Sequence, residues 1–313
     1  YVNEERIQYH KKLVEFAGAQ FEKAFLLSAG TEATEAALKL MRMNGQKNKK
    51  RKLGIICIEG NWHGRTMGAQ MMSGNTSQKA WIGYLDPNIH HIKFPYPWAL
   101  NGKTGEEFLE SELQKLQKSG IDLKNDICGV MLETFQGWGA VFYPVDFMQA
   151  FEKICKKHDI LLSFDEMQSG FARTGKKFGY EHYGVQADLI CCGKGIASGF
   201  PLSAVIGTSE IMDLPEVGNM SSTHSANPFV CAAGIATLDE IDRLDLVIET
   251  ERKGLMFHQK LNELKKKYSC HISYVLGKGL LAALIFKLPD KNEPDTLLPS
   301  IISEKAMQKG LLV

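Results

Sequence analysis

Apolar residues recur along this chain in two alternating periods. Short runs at 24–28, 53–58, 127–132, 160–164, 188–192 and 202–207 have the length and β-branched or bulky makeup of buried strands. Between them apolar residues return every three to four positions. After Ser28 the positions Ala33, Ala36, Ala37, Leu40 and Met41 form one helical face, and in 145–158 Phe147, Ala150, Phe151, Ile154 and Cys155 form another. Pro228 can open a helix with Cys231, Ala232, Ile235 and Leu238 inside, while 4–16 and 106–117 carry enough charge to be surface helices. Strands alternating with amphipathic helices predict βαβ units with right-handed crossovers and a mostly parallel sheet, an α/β fold. Residues 75–101, with Asp86-Pro87, Pro95 and Pro97, read as a long irregular connection of the kind that frames a pocket. From about Asp245 a long helix crosses to a smaller α+β portion.

Length and composition narrow the choice of class. With 313 residues and 44% hydrophobic content, two domains are expected, a large one over 1–244 and the start of a small one over 245–313. The formal net charge of +1 gives no long-range attraction to nucleic acid or an anionic membrane. The basic run 46–52 reads as a solvated loop after a helix. Seven cysteines without a CxxC pair read as reduced thiols of a cytoplasmic protein, and His63, His90 and His91 lack the spaced partners of a metal site. No apolar run reaches the ~18 residues of a membrane span, and none reads as a signal peptide.

The chemistry concentrates in residues 160–200. Two apolar runs there end in charged residues, Asp165 and Lys194, where open α/β sheets bind ligands beyond the carboxyl ends of their strands. Gly193, Gly195, Ser198 and Gly199 leave room for a flat ligand. Phe164-Asp165-Glu166, then Gly170-Phe171-Ala172-Arg173-Thr174-Gly175, then Gly193-Lys194 stand in order. That order and spacing resemble the class III aminotransferases, the pyridoxal-phosphate (PLP) enzymes that include ornithine, acetylornithine and 4-aminobutyrate aminotransferases.

The resemblance implies fold type I, with a seven-stranded, mostly parallel large-domain sheet flanked by helices, a smaller α+β domain, and further chain beyond both ends. It implies that Lys194 carries PLP as a Schiff base and moves the Cα proton, with Asp165 beneath the pyridine nitrogen, Met167 packed on the ring and Gln168 at the ring hydroxyl. Gly30 and Thr31 match the family's phosphate-holding helix start; a Gly-Thr there offers free amides and a hydroxyl to an anion, though Thr31 can equally be a simple N-cap. Trp62 matches the aromatic that stacks on the cofactor, and Glu133 a carboxyl of the same site. Thr223, in Thr-His-x-x-x-Asn-Pro, matches the threonine that reaches the phosphate of the opposite subunit, which implies a homodimer with shared sites. On the substrate side, Arg65 has two open readings, a carboxylate receptor or a structural arginine. Trp138 replaces a glutamate that in ornithine and 4-aminobutyrate members pairs with an arginine, so a fixed pocket for a bulky or apolar amine is expected.

The reading is therefore amino transfer from an amine or amino acid, through a non-α amino group, to a 2-oxo acid. Epimerase, decarboxylase, mutase and phospho-lyase reactions share the scaffold. A rival from another class is a nucleotide hydrolase, because Gly170 to Lys177 fits G-x-x-x-x-G-K up to the final position, where Lys177 stands in place of a Ser or Thr. A binding-only relative would have lost Lys194 or Asp165, and both are present.

Overall fold

The computed structural model describes residues 2–47, 51–288 and 294–313. Asn48, Lys49 and Lys50, in the middle of the basic run, lie outside them. Helix α1 (Glu4–Ala17) starts at Asn3, whose side chain accepts from the Arg6 amide, and it is amphipathic rather than purely superficial, burying Tyr9, Leu13 and Phe16. Strand β1 (Lys23–Leu27) leads into α2 (Gly30–Gly45), and β2 (Gly54–Ile58) into α3 (Met67–Met72). Within 75–101, expected to be irregular, lie a 3-10 turn (Thr76–Ile82) and β3 (Ile89–Ile92). Its sequence, Ile-His-His-Ile, makes a sheet edge whose histidines hide it from any apolar-run test.

Next come α4 (Gly105–Lys118), β4 (Ile127–Glu133), the small hairpin β5 (Phe135–Gln136) and β6 (Val141–Phe142), α5 (Val145–His158) and β7 (Leu161–Asp165). Then β8 (Leu189–Cys192), β9 (Ser203–Gly207), α6 (Ser209–Met212), α7 (Pro228–Arg243) and α8 (Leu246–Lys267) follow. The chain ends in the antiparallel pair β10 (Ile272–Leu276) and β11 (Ala283–Phe286) and in α9 (Leu298–Gln308).

Among the described residues the main sheet has seven strands in the order β1-β9-β8-β7-β4-β2-β3. The pairs from β8 to β3 are parallel, and β9 alone runs against its neighbours. The central strands are buried end to end, as expected of a sheet covered on both faces. One layer of apolar packing includes Tyr9, Phe147, Phe151 and Phe164, and the other Ala33, Leu40, Met41 and Leu189.

This topology brings the carboxyl ends of β2, β4, β7 and β8 to one edge. Register does the fine placement: Glu133 lies opposite Asp165, and Asp165 opposite Cys191, two residues before Gly193. Beyond β7, Glu166 is fully buried and accepts from Thr134 Oγ1 and Ser169 Oγ at 2.6 Å each and from the amides of Gly179 and Tyr180 at 2.8 Å each. Four donors on one carboxylate offset its desolvation and pin the 170–180 turn against the sheet. The pair β10/β11 is tied to that turn, because the Leu280 amide donates to the Arg173 carbonyl at 3.1 Å.

Candidate functional site

The floor of the site is Asp165, 4% exposed. One carboxylate oxygen lies 2.9 Å from His63 Nδ1, and the other accepts from the Met167 amide at 3.1 Å. An ionised Asp165 only accepts, so His63 carries its proton on Nδ1. The imidazole is itself held by its backbone: its amide donates to Ser73 Oγ and its carbonyl accepts from Thr34 Oγ1. Its Nε2 is buried without a protein partner. In the sequence His63 has no role beyond a metal reading that is set aside; a partner 102 positions away leaves no local signal. Among the described residues no group of three or more His, Cys, Asp or Glu side chains comes together as a metal site.

Beside Asp165, Glu133 is 5% exposed and takes the Trp62 amide at 2.9 Å and Gln168 Nε2 at 3.3 Å. Burial, and then the nearby Asp165, push its carboxyl up to about 8, against the opposing pull of the Trp62 and Gly137 amides and of Lys194. Gly137 is needed here, since a Cβ would come within 2.4 Å of Gln168 Nε2 and 3.0 Å of Glu133 Oε1.

Two hollows meet at Gln168. One of about 1060 Å³ is lined by Trp62, Glu133, Tyr96 and Trp138; the other, of about 700 Å³, by Met167, Arg173 and Lys194. Lys194 is exposed and has φ +44°, a left-handed conformation uncommon outside glycine and concentrated where a backbone serves a site. The Met167 thioether closes the space between Gly30 and Gly193: a Cβ on either glycine would fall 2.8 or 2.5 Å from its sulfur.

Helix α2 starts at Gly30 with Ala29 as its N-cap, so Thr31 is not the cap. Glu32 takes the Ser28 and Ala29 amides, which leaves the Gly30 and Thr31 amides at the mouth of the helix, groups no α-helix satisfies internally. Thr31 Oγ1 lies 2.6 Å from Thr66 Oγ1, and the Ala29 carbonyl is fixed by Ser203 Oγ of β9 at 2.7 Å. Arg65 stands over the Trp62 indole, 4.6 Å from its centre, and lines neither hollow. Thr223 lies elsewhere, in a third hollow with Phe25, Met220 and Pro228 and with none of the residues above.

This set fits PLP: an anion-ready helix start, a buried carboxylate with an imidazole behind it, an exposed lysine, and glycines where a Cβ would fill the cradle. Residues 1–313 match the Aminotransferase class-III family. The chain belongs to the class-III aminotransferases. An acetylornithine aminotransferase of Caldanaerobacter subterraneus subsp. tengcongensis is 32% identical over 317 residues, covering 100% of this chain and 72% of that protein. A probable 4-aminobutyrate aminotransferase of Bacillus subtilis is 34% identical over 315 residues, with 98% and 71% covered. An alanine/serine racemase of Pyrococcus horikoshii is 32% identical over 324 residues, with 100% and 67% covered. Among solved structures, an (S)-enantioselective ω-transaminase from Thermomicrobium roseum superposes with a TM-score of 0.89 at 27% identity, over 100% of this chain and 72% of that one. A PLP-bound amine transaminase from an uncultivated Pseudomonas species gives 0.88 at 26%, over 100% and 74%.

This class-III chain is thus a PLP-dependent aminotransferase of fold type I. The nucleotide-hydrolase alternative is not favoured: residues 170–177 form turns with Phe171 and Ala172 at positive φ, and no helix starts there to cradle a phosphate. Among the described residues no helix is long and apolar enough to cross a membrane.

Proposed function

We propose that Lys194 is the residue that holds PLP covalently, and that Asp165, Glu133, Gln168, Trp62, Gly30 and Thr31 hold it non-covalently. The observation that carries this reading is the convergence of Lys194, Asp165 and the α2 start on one edge of the sheet around Gln168 and Met167. When bound, PLP supplies a carbonyl that captures the amine and a ring that takes up electrons as a proton leaves Cα. The protein's part follows from its own groups. Asp165 would hold a proton on the ring nitrogen, with His63 Nδ1–H keeping its carboxylate in place. Gln168 and Glu133 would hold the ring hydroxyl, and the Gly30 and Thr31 amides, at the positive end of α2, would hold the phosphate. Once displaced from the cofactor, the Lys194 amine would be the base that takes the proton from Cα.

On the substrate side Trp138 borders the donor, while Arg65 is kept as a carboxylate receptor only if it leaves the Trp62 ring. The donor is an amine or amino acid giving up a non-α amino group and the acceptor a 2-oxo acid. Thr223 serves a second copy's site in a homodimer, the division between large and small domains falls at 244/245, and the six buried free thiols suit the reducing cytoplasm.

The test is chemical. Borohydride treatment of the purified yellow enzyme, followed by peptide mapping, should leave the cofactor on the Lys194 peptide alone. Lys194→Ala should lose turnover while still taking up PLP. Label on another lysine would remove the assignment, and amino transfer to a 2-oxo acid is read separately from racemisation by chiral product analysis.

A further inference from the structure

We propose that Trp138 and Tyr96 form a fixed aromatic wall of the donor subsite, selecting amines that carry a flat apolar body, and that Gln136 positions this wall. The proposal rests on the cofactor site assigned above. Trp138 sits in the turn between β5 and β6 and is 56% exposed, although it is a large apolar side chain. Its placement is nevertheless fixed. The indole N–H donates to Gln136 Oε1 at 2.9 Å and lies 3.2 Å from the Tyr96 hydroxyl, and that hydroxyl donates to the same Gln136 oxygen at 3.2 Å. Gln136 is fully buried and is held in turn, its Nε2 donating to the Glu59 carbonyl at 2.8 Å and to Asn61 Oδ1 at 2.6 Å. The polar handles of both rings are used inside the wall, so what they offer the cleft is apolar ring surface.

Ring packing stiffens the arrangement. Tyr96 stacks on Trp98 at 4.9 Å and 8°, Trp138 meets both at 5.8 and 6.4 Å, and Trp98 reaches Tyr274 of β10 at 5.6 Å. The wall also lies at the reacting end of the cleft, because Gly137, the residue before Trp138, lies directly against the Gln168–Glu133 pair. The other cleft side chains carry both signs, Glu59 and Glu112 against Lys93, Lys103 and Lys115, with Glu112 and Lys115 already paired. Charge therefore pulls weakly on an acidic or basic tail, and the aromatic surface is the feature that discriminates.

The test compares 2-phenylethylamine with n-butylamine as donors to a 2-oxo acid, using the intact PLP-loaded enzyme with its visible absorbance as the measure of loading. The wild type should show a KM for the aryl amine lower by on the order of 10- to 100-fold. Trp138→Ala should erase that ratio, and Trp138→Phe should restore part of it. Tyr96→Phe, which removes only the hydroxyl, should raise the aryl amine's KM more than butylamine's, with the change falling on KM more than on kcat. A loaded Trp138→Ala enzyme that keeps the wild-type ratio overturns the wall and leaves the cofactor site standing. A wild type that never acquires the cofactor band overturns the site assignment and the wall with it.

Discussion

Glu133 is the residue whose environment is most at odds with its chemistry. It ends a buried strand opposite another carboxylate, and burial followed by Asp165 raises its pKa to about 8. A raised folded pKa means that protonation favours the native state. The associated stability is fully present below the ordinary glutamate range and is lost as pH climbs through about 8. The PLP-free enzyme should accordingly melt at progressively lower temperature from about pH 5 to pH 8 and level off above it, and Glu133→Gln, which cannot ionise, should flatten that slope. Calorimetry across the pH series decides it; an unchanged slope in the variant would assign the titration to another group. His63 makes the complementary case. Its Nδ1–H is the side-chain donor on a carboxylate that is almost wholly buried, so His63→Leu leaves Asp165 short of a charged hydrogen bond. A loss of about 1.5–3 kcal/mol in denaturant unfolding is expected. A loss below ~0.5 kcal/mol would mean that water replaces the imidazole.

At the scale of elements, the strand ends were legible because β4 and β7 are short apolar runs that close on Glu133 and Asp165, and β8 is one that runs into Gly193. What lay beyond reading was cross-chain: β3 is half polar and acquires its identity only by pairing Ile89 with Ile55 and Ile92 with Ile58 of β2. Glu166 gave no local sign that it would collect four donors from three segments, and the clamp of Gln136 on Trp138 closes through atoms of Glu59 and Asn61. Met167 belongs with these. Its amide serves Asp165 and its sulfur fills the gap between the first residue of α2 and the glycine before Lys194, so one side chain spaces the α2 start from the lysine. Gly193→Ala should therefore weaken PLP binding by on the order of tenfold, because the new methyl drives the thioether toward Gly30. Adding Met167→Ala should recover part of that loss, a coupling that a double-mutant cycle reads directly. Additive losses would mean that Gly193 matters through its own backbone and not through Met167.

At the scale of the whole molecule, Thr223 stands apart from the other residues expected at the site. Thr223 lines a hollow with Phe25 and Pro228, apart from Lys194 and Gln168, although its neighbour Ser222 reaches Glu32 on the first turn of α2 at 3.4 Å. In the homodimer proposed above, a residue next to one that touches α2, yet outside its own chain's Lys194 hollow, would serve the neighbouring copy across the two-fold axis, each subunit lending the other the same residue. Exposed apolar side chains also stand at the rim of the Lys194 hollow: Phe200, which lines it, meets Phe229 edge to face at 5.1 Å, and the two are 43% and 68% exposed. Such a pair is costly in water and is readily buried by a second subunit. Complementation tests the arrangement. Lys194→Ala and Thr223→Ala chains should each be nearly inactive alone, and mixing them under subunit exchange should restore up to about a quarter of wild-type activity. Half of the dimers are mixed by random pairing, and each mixed dimer holds one site with both residues intact. Activity that stays at the level of the parents after exchange, with mixed dimers verified by mass, would return Thr223 to a role within its own chain.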